Sequence, residues 1–217
     1  MATKTRVKIC GITRVDDGLA AAHAGADAIG LVFWAGTPRC VNVASACEIT
    51  AALPPFVSVV ALFVDPDPGH VWEVLDNVPI DVLQFHGHEP ASLCRSFGRS
   101  WVKAIAVGEG HDLLESLSSY GDAAGWLFDA PARDGRPGGT GRTFDWSRLP
   151  AHLARPVVLS GGLDADNVGD AIRRVHPWAV DVSSGVEARG PDGRALPGIK
   201  DATRIAAFIE KVRHADD

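Results

Sequence analysis

Short runs of β-branched and apolar residues recur along the chain, and between them apolar positions return every three or four residues. The runs predict strands over residues 7–10, 28–33, 57–64, 82–85, 102–107, 126–129, 157–159 and 179–182. The helical spacing predicts helices over 16–24, 44–53, 68–77, 89–97, 112–117, 165–175 and 201–212, the last with Ile205, Phe208, Ile209 and Val212 on one face. Strands that alternate with helices are parallel, because a parallel crossover needs a dozen or more residues. Eight units in 217 residues leave about 27 residues each, compact but sufficient for a single-domain α/β fold over residues 1–217, a (β/α)₈ (TIM) barrel. A doubly wound open sheet shares the alternation. Polar residues gathered at the C-terminal ends of the strands favour the barrel, where those ends meet around one mouth. The sixth unit is the weakest, since 145–149 leaves room for little helix. The Gly/Pro-rich stretch 131–143 sits inside the alternation and reads as a long βα loop that covers the mouth.

Composition narrows the function class. Apolar residues at 46% and charged residues at 22% are ordinary for a globular protein and exclude disorder as a general description. With 21 Lys plus Arg against 27 Asp plus Glu, the net charge of −6 gives no grip on nucleic acid, which needs a clustered basic face. Cys10, Cys40, Cys47 and Cys94 form no CxxC pair or His/Cys cluster, so the expectation is reduced cytoplasmic thiols rather than zinc or disulfides. A signal-peptide hydrophobic region is lacking, and so is any run of about twenty apolar residues; both point away from a membrane.

Strand parity selects candidate chemistry, because side chains alternate between the barrel interior and the helical layer. If Val7, Ile9, Trp126, Phe128, Val180 and Val182 face the helices, then Lys8, Cys10, Leu127, Asp129 and Asp181 point inward. A thiol and two carboxylates then converge on one opening. A buried cysteine is more often a small hydrophobe than a catalyst, and a carboxylate at a loop start often serves the backbone. Here position at strand ends, with the thiol and the acid opposed, argues for chemistry. Ser160-Gly161-Gly162-Leu163 follows the seventh strand and Ser183-Ser184-Gly185-Val186 the eighth. Small residues let backbone N–H groups approach an anion, and the loops after strands seven and eight of a barrel are the usual phosphate site. Gly161, Gly162, Ser183, Ser184 and Gly185 are therefore the phosphate-binding candidates; Gly138-Gly139-Thr140-Gly141 is less diagnostic. Arg39, after the second strand, has a guanidinium suited to bidentate grip on a carboxylate. His86 shares the inward parity of Gln84 and is read as part of the site wall, and Lys8 needs a charge partner if buried.

These motifs in order resemble the phosphoribosylanthranilate isomerase family of tryptophan biosynthesis. The likeness runs nearly end to end: Lys8-Ile9-Cys10-Gly11-Ile12-Thr13, Gly30-Leu31-Val32-Phe33 with Thr37-Pro38-Arg39, Leu62-Phe63-Val64, Gln84-Phe85-His86-Gly87 and Leu127-Phe128-Asp129 with the glycine-rich segment. It continues through Leu159-Ser160-Gly161-Gly162-Leu163 and Val182-Ser183-Ser184-Gly185-Val186-Glu187 to Gly198-Ile199-Lys200-Asp201. The resemblance implies a barrel without cofactor or metal that rearranges a small sugar phosphate, N-(5-phosphoribosyl)anthranilate, to 1-(2-carboxyphenylamino)-1-deoxyribulose 5-phosphate. It implies Cys10 as general base, Asp129 as general acid, Arg39 on the anthranilate side with His86 and Asp181 in the substrate wall, and phosphate at the last two loops. Monomer and homodimer both stay open. Two departures stand out: Thr37 where serine is commoner, and a longer link over 188–197.

The chemistry sets its own requirements. Opening the furanose needs a proton on the ring oxygen, so Asp129 must be protonated near neutral pH, against about 3.9 for a free Asp. The C1 iminium then acidifies the C2 proton, which a base must take from the other side. A thiol titrates near about 8.5, and a close Lys8 is expected to enlarge the thiolate fraction. Two rival readings remain: the histidine-pathway isomerase, which performs the same rearrangement on a larger substrate, and a non-catalytic phosphate-binding barrel.

Overall fold

The computed structural model describes residues 4–108, 113–131, 143–150 and 152–216. Eight parallel strands close in sequential order into a barrel: β1 (Arg6–Cys10), β2 (Ala28–Val32), β3 (Ser58–Phe63), β4 (Val82–Phe85), β5 (Ser100–Ala106), β6 (Gly125–Asp129), β7 (Val157–Leu159) and β8 (Ala179–Val182). Closure is the β1–β8 pairing, which sets Lys8 opposite Asp181 and Ile9 opposite Val182. The expected (β/α)₈ barrel is therefore the fold observed. Around it lie α1 (Val15–Ala24), α2 (Val43–Ala52), α3 (Pro68–Asn77), α4 (Ala91–Arg95), α5 (Leu113–Ser119), α6 (Val168–Val175) and α7 (Ala202–Asp216).

Parity holds where it was expected. Val7, Ile9, Trp126, Phe128, Val180 and Val182 join the apolar layer between barrel and helices, together with Ile205, Phe208, Ile209 and Val212 of α7. A second, smaller cluster of Cys10, Val32 and Leu62 lies at the mouth, with Trp34 and Val64 packed on it. Apolar contact thus surrounds the thiol on the barrel side.

The sixth unit, expected to leave room for little helix, carries only a 3₁₀ turn at Trp146–Arg148, capped by Asp145 and followed by Pro150, which cannot continue a helix. Two helices differ from expectation, each for a local reason. Among the described residues α4 is Ala91–Arg95 rather than 89–97, because Pro90 occupies its N-cap and the Glu89 side chain is drawn inward to Lys103. Helix α6 starts at Val168 because Asp164 accepts from the N–H groups of Asp166 and Asn167 and so forms a turn instead. The long link after β8 folds as an antiparallel hairpin, β9 (Glu187–Arg189) with β10 (Ala195–Lys200), turning through Gly193 at φ 77°. The glycine-rich part of the expected covering loop, 132–142, lies outside the described residues.

Candidate active site

Cys10 ends β1 and is 5% exposed. Its neighbour in the barrel layer is Gly30, where an added Cβ would stand 2.8 Å from the Cys10 sulfur and 3.1 Å from Lys8 Cε. A glycine is what allows both side chains to occupy the interior. Lys8 finds the partner that its burial demands, with Nζ 2.7 Å from Asp181 Oδ1. The Ser160 hydroxyl donates to Asp181 Oδ2 at 3.4 Å. Burial works against the Lys8 charge, yet the Asp181 carboxylate and Cys10 outweigh it and hold the ammonium above the ordinary lysine value. For Cys10 the balance falls the other way. Burial pushes the thiol up; Lys8 pulls it down, Asp181 adds to the rise and Lys200 opposes it. The expected pull of Lys8 toward the thiolate is present, but its charge is matched by Asp181 and desolvation dominates, so the thiol stays above its ordinary value.

Asp129 ends β6, with one oxygen hydrogen-bonded and the other beside a histidine. Oδ1 accepts from the Ala130 N–H at 2.7 Å, and Oδ2 lies 3.2 Å from His86 Nε2. His86 Nδ1 in turn is 3.0 Å from Gln84 Nε2. The turn that carries His86 is built on a buried ion pair. Glu89 bonds Lys103 at 3.0 Å and accepts from the N–H groups of Asp65 and Gly87, while Lys103 donates to the carbonyls of Phe85 and Gly87. His86, expected in the wall, is placed directly against the candidate acid.

Arg39 meets a carboxylate, but one that belongs to the protein. Its Nε and Nη2 donate to the two oxygens of Glu187 at 2.7 and 2.9 Å. Glu187 also accepts from the Gly198 N–H at 2.9 Å and Lys200 Nζ at 3.4 Å, so the hairpin is fastened to the mouth by one carboxylate. Burial alone would raise Glu187, but the Arg39 hydrogen bond, Lys200 and the Gly198 N–H together hold it below the ordinary carboxylate value. Burial lowers Lys200 despite Glu187.

The loops after β7 and β8 sit side by side. Gly161 and Gly162 take φ values of 86° and 63°, a conformation that strains any residue with a Cβ. A Cβ on Gly161 would also approach the Ala130 nitrogen to 2.7 Å and Asp129 Oδ1 to 3.0 Å. Asn167 holds the Gly162 carbonyl at 2.9 Å, and Lys200 Nζ holds that of Ser183 at 3.0 Å. Ser184–Val186 is a single 3₁₀ turn rather than an α-helix, so any anion there meets individual N–H groups more than a helix dipole. Cys10, Arg39, His86, Asp129, Asp181 and Ser183 line one cavity at the barrel mouth. Among the described residues no group of three or more His, Cys, Asp or Glu side chains is placed to hold a metal ion.

The model of the N-(5'phosphoribosyl)anthranilate (PRA) isomerase family matches residues 7–211. The chain belongs to the N-(5'-phosphoribosyl)anthranilate isomerase family. It is 54% identical over 211 residues to the N-(5'-phosphoribosyl)anthranilate isomerase of Alcanivorax borkumensis, covering 97% of this chain and 96% of that protein. Identity to the Pseudomonas paraeruginosa isomerase is also 54%, over 208 residues, 96% of this chain and 95% of the relative. The crystal structure of the Thermotoga maritima phosphoribosyl anthranilate isomerase aligns with a TM-score of 0.86 at 40% identity, over 97% of this chain and 99% of that one. A family structure in complex with reduced 1-(o-carboxyphenylamino)-1-deoxyribulose 5-phosphate aligns with a TM-score of 0.80 at 37% identity, with 97% and 99% covered. The family and the barrel suggested by the motifs are therefore shown.

Several residues of the candidate site carry no signal in the sequence. Glu187 and Lys200 stand inside motifs that carry the resemblance, yet nothing in their spacing tells that they converge on Arg39 and Ser183. The Glu89–Lys103 pair is equally silent. The one available signal was parity, which turns Gln84 inward together with His86.

Proposed function

We propose that this chain catalyses the Amadori rearrangement of N-(5-phosphoribosyl)anthranilate to 1-(2-carboxyphenylamino)-1-deoxyribulose 5-phosphate, a step of tryptophan biosynthesis, by general acid–base catalysis without a cofactor. The observation that carries the reading is that Cys10 and Asp129, from β1 and β6, open onto one cavity beside the two glycine loops. Asp129 gives its proton to the furanose oxygen as the C1–O bond breaks, and the anilino nitrogen pair forms the C1 iminium. Cys10, as thiolate, takes the C2 proton, and the released pair neutralises the iminium to an enolamine. Loss of the 2-hydroxyl proton and protonation at C1 give the ketone, an isomer of the substrate. Since burial holds Cys10 as a thiol at rest, its proton must first leave to solvent through the open mouth, and the positive iminium supplies the field that favours the resulting thiolate. Arg39 keeps Nη1 free of Glu187 for the anthranilate carboxylate, His86 and Asp181 form the wall, and Gly161, Gly162, Ser183, Ser184 and Gly185 take the phosphate. That remote grip holds the sugar between base and acid.

The test is the fall in anthranilate emission when enzyme meets substrate, with the histidine-pathway substrate assayed alongside. Cys10→Ser and Asp129→Asn should each lower kcat by roughly 10² to 10⁴ with folding intact. Constant emission at high enzyme concentration would favour the non-catalytic phosphate-binding barrel, and normal turnover in either variant would remove that residue from the mechanism.

The Thermotoga maritima isomerase is dimeric, and monomers generated from it have been solved at 36% identity to this chain. For this chain a homodimer is supported by the N-terminal end of the barrel. There Phe56 is fully exposed at φ 71°, a conformation costing about 1–2 kcal/mol for an L-residue. It stands on the rim of a cavity of about 580 Å³ that includes Val60 and Trp178. A projecting aromatic and an apolar recess on one face complement each other under two-fold symmetry.

A further inference from the structure

Gln84 lies in β4, lines the same cavity as the candidate acid and is 0% exposed, with no charge and no contact that the proposed reaction uses. Phe85, between it and His86, faces outward and stacks on Phe63 and Phe97, so the β4 alternation turns Gln84 and His86 to the same interior. The result is a straight series: Gln84 Nε2 to His86 Nδ1 at 3.0 Å, then His86 Nε2 to Asp129 Oδ2 at 3.2 Å. An amide can serve an imidazole in two ways, by donating from its nitrogen or accepting at its oxygen. In this site Gln84 Oε1 has no partner among the described residues. Turning the amide over would pair that oxygen and leave a buried NH₂ without an acceptor instead. Orphaned buried N–H groups are rarer than under-satisfied carbonyls, so the donating orientation is favoured. With Nδ1 accepting, a neutral imidazole carries its proton on Nε2 and presents it to Asp129.

We propose that Gln84 is a positioning residue for the acid step: it fixes His86 as the Nε2–H tautomer, so that the imidazole donates to Asp129 as that carboxyl releases its proton. As the proton leaves for the furanose oxygen, negative charge grows on Asp129. The Ala130 N–H already donates to Oδ1, and His86 Nε2 stands 3.2 Å from Oδ2, so an Nε2–H there needs only a small turn of the ring to meet the charge. Such bonds strengthen with the developing charge. Without Gln84 the imidazole is free to take the other tautomer, and its Nε2 lone pair would then face the charge being formed. The groups around His86 are Gln84 on its own strand, Asp129 on β6, Cys10 on β1, Arg39 in the β2–α2 loop and Asp181 on β8, which line the same cavity. Lys103 of β5 lies under the turn, paired with Glu89.

The inference rests on Asp129 being the acid, so Asp129→Asn is measured in parallel with Gln84→Met and Gln84→Glu. The first readout is the ¹⁵N–¹H spectrum of the imidazoles in the intact substrate-free chain, which has eight histidines, with His86 assigned by His86→Asn. The expected result is a protonated Nε2 and a bare Nδ1 at His86, and a protonated Nδ1 in Gln84→Glu, where a carboxylate only accepts. The second is turnover against pH. Gln84→Met should lose about tenfold in kcat with KM within about twofold, and Gln84→Glu should displace the kcat profile along the pH axis. Nδ1–H at His86 in the unmodified chain overturns the proposal, and that spectrum decides even if the variants fail to fold. An unchanged kcat and pH profile in both variants, with Asp129→Asn inactive, overturns the Gln84 role alone. Normal turnover in Asp129→Asn overturns the acid assignment beneath it.

Discussion

Glu187→Gln tests how the hairpin serves the mouth. The Glu187 side chain is 0% exposed, that of Lys200 is 0% and that of Arg39 is 13%, so three charged groups share one poorly solvated space. The carboxylate accepts two hydrogen bonds from Arg39, one from Gly198 and one long one from Lys200. Gln supplies one neutral acceptor and puts an NH₂ against two cations. Removing one partner of a buried ion pair costs about 3–5 kcal/mol. With a urea slope of about 2 kcal/mol/M, the unfolding midpoint should drop by about 1.5–2.5 M. Arg39 loses its fork at the same time. A charge-assisted hydrogen bond is worth about 1.5–3 kcal/mol, so KM should rise roughly 10- to 150-fold if Arg39 holds the substrate carboxylate. The kcat should change little, since Cys10 and Asp129 are untouched. The pH dependence has a definite sign. Glu187 titrates lower in the folded state, so its contribution is complete above the unfolded carboxylate value, about 4.3, and is lost as pH falls through the lower folded value. The stability gap between the native chain and Glu187→Gln should therefore narrow below about pH 4. A variant within about 0.5 kcal/mol of the native stability, with KM within about twofold, would refute the reasoning.

Ser184→Asp should raise KM through repulsion of the phosphate while leaving kcat at saturation nearly intact; an unchanged KM counts against the proposed loops. Because burial raises the Cys10 thiol, kcat/KM should climb with pH between about 7 and 9, and a flat profile there would deny Cys10 the role of base. Phe56→Asp should sediment as a monomer where the native chain sediments as a dimer; a native monomer at tens of micromolar would rule out the homodimer.

The barrel was legible because its determinants are local. Alternating runs set the strands, helical spacing sets the connections, and parity along β1, β6 and β8 turns Lys8, Cys10, Asp129 and Asp181 inward. The segment 145–149 was read as too short for a full helix, and the 3₁₀ turn there agrees. Helices α4 and α6 were overestimated because Glu89 and Asp164 spend their side chains on other backbone segments, which periodicity does not register.

What the chain determined by itself is the order of elements, the facing of each strand residue and the identity of groups able to move a proton or hold a phosphate, since these depend on neighbours in sequence. Tertiary structure alone decided which of those groups meet. Glu187 and Arg39 are 148 positions apart and Lys8 and Asp181 are 173, and only barrel closure brings each pair to 2.7 Å. It also decided protonation. Burial lifts the Cys10 thiol although a lysine stands two residues away, because Asp181 answers that lysine and the cost of charging a desolvated sulfur depends on everything packed around it.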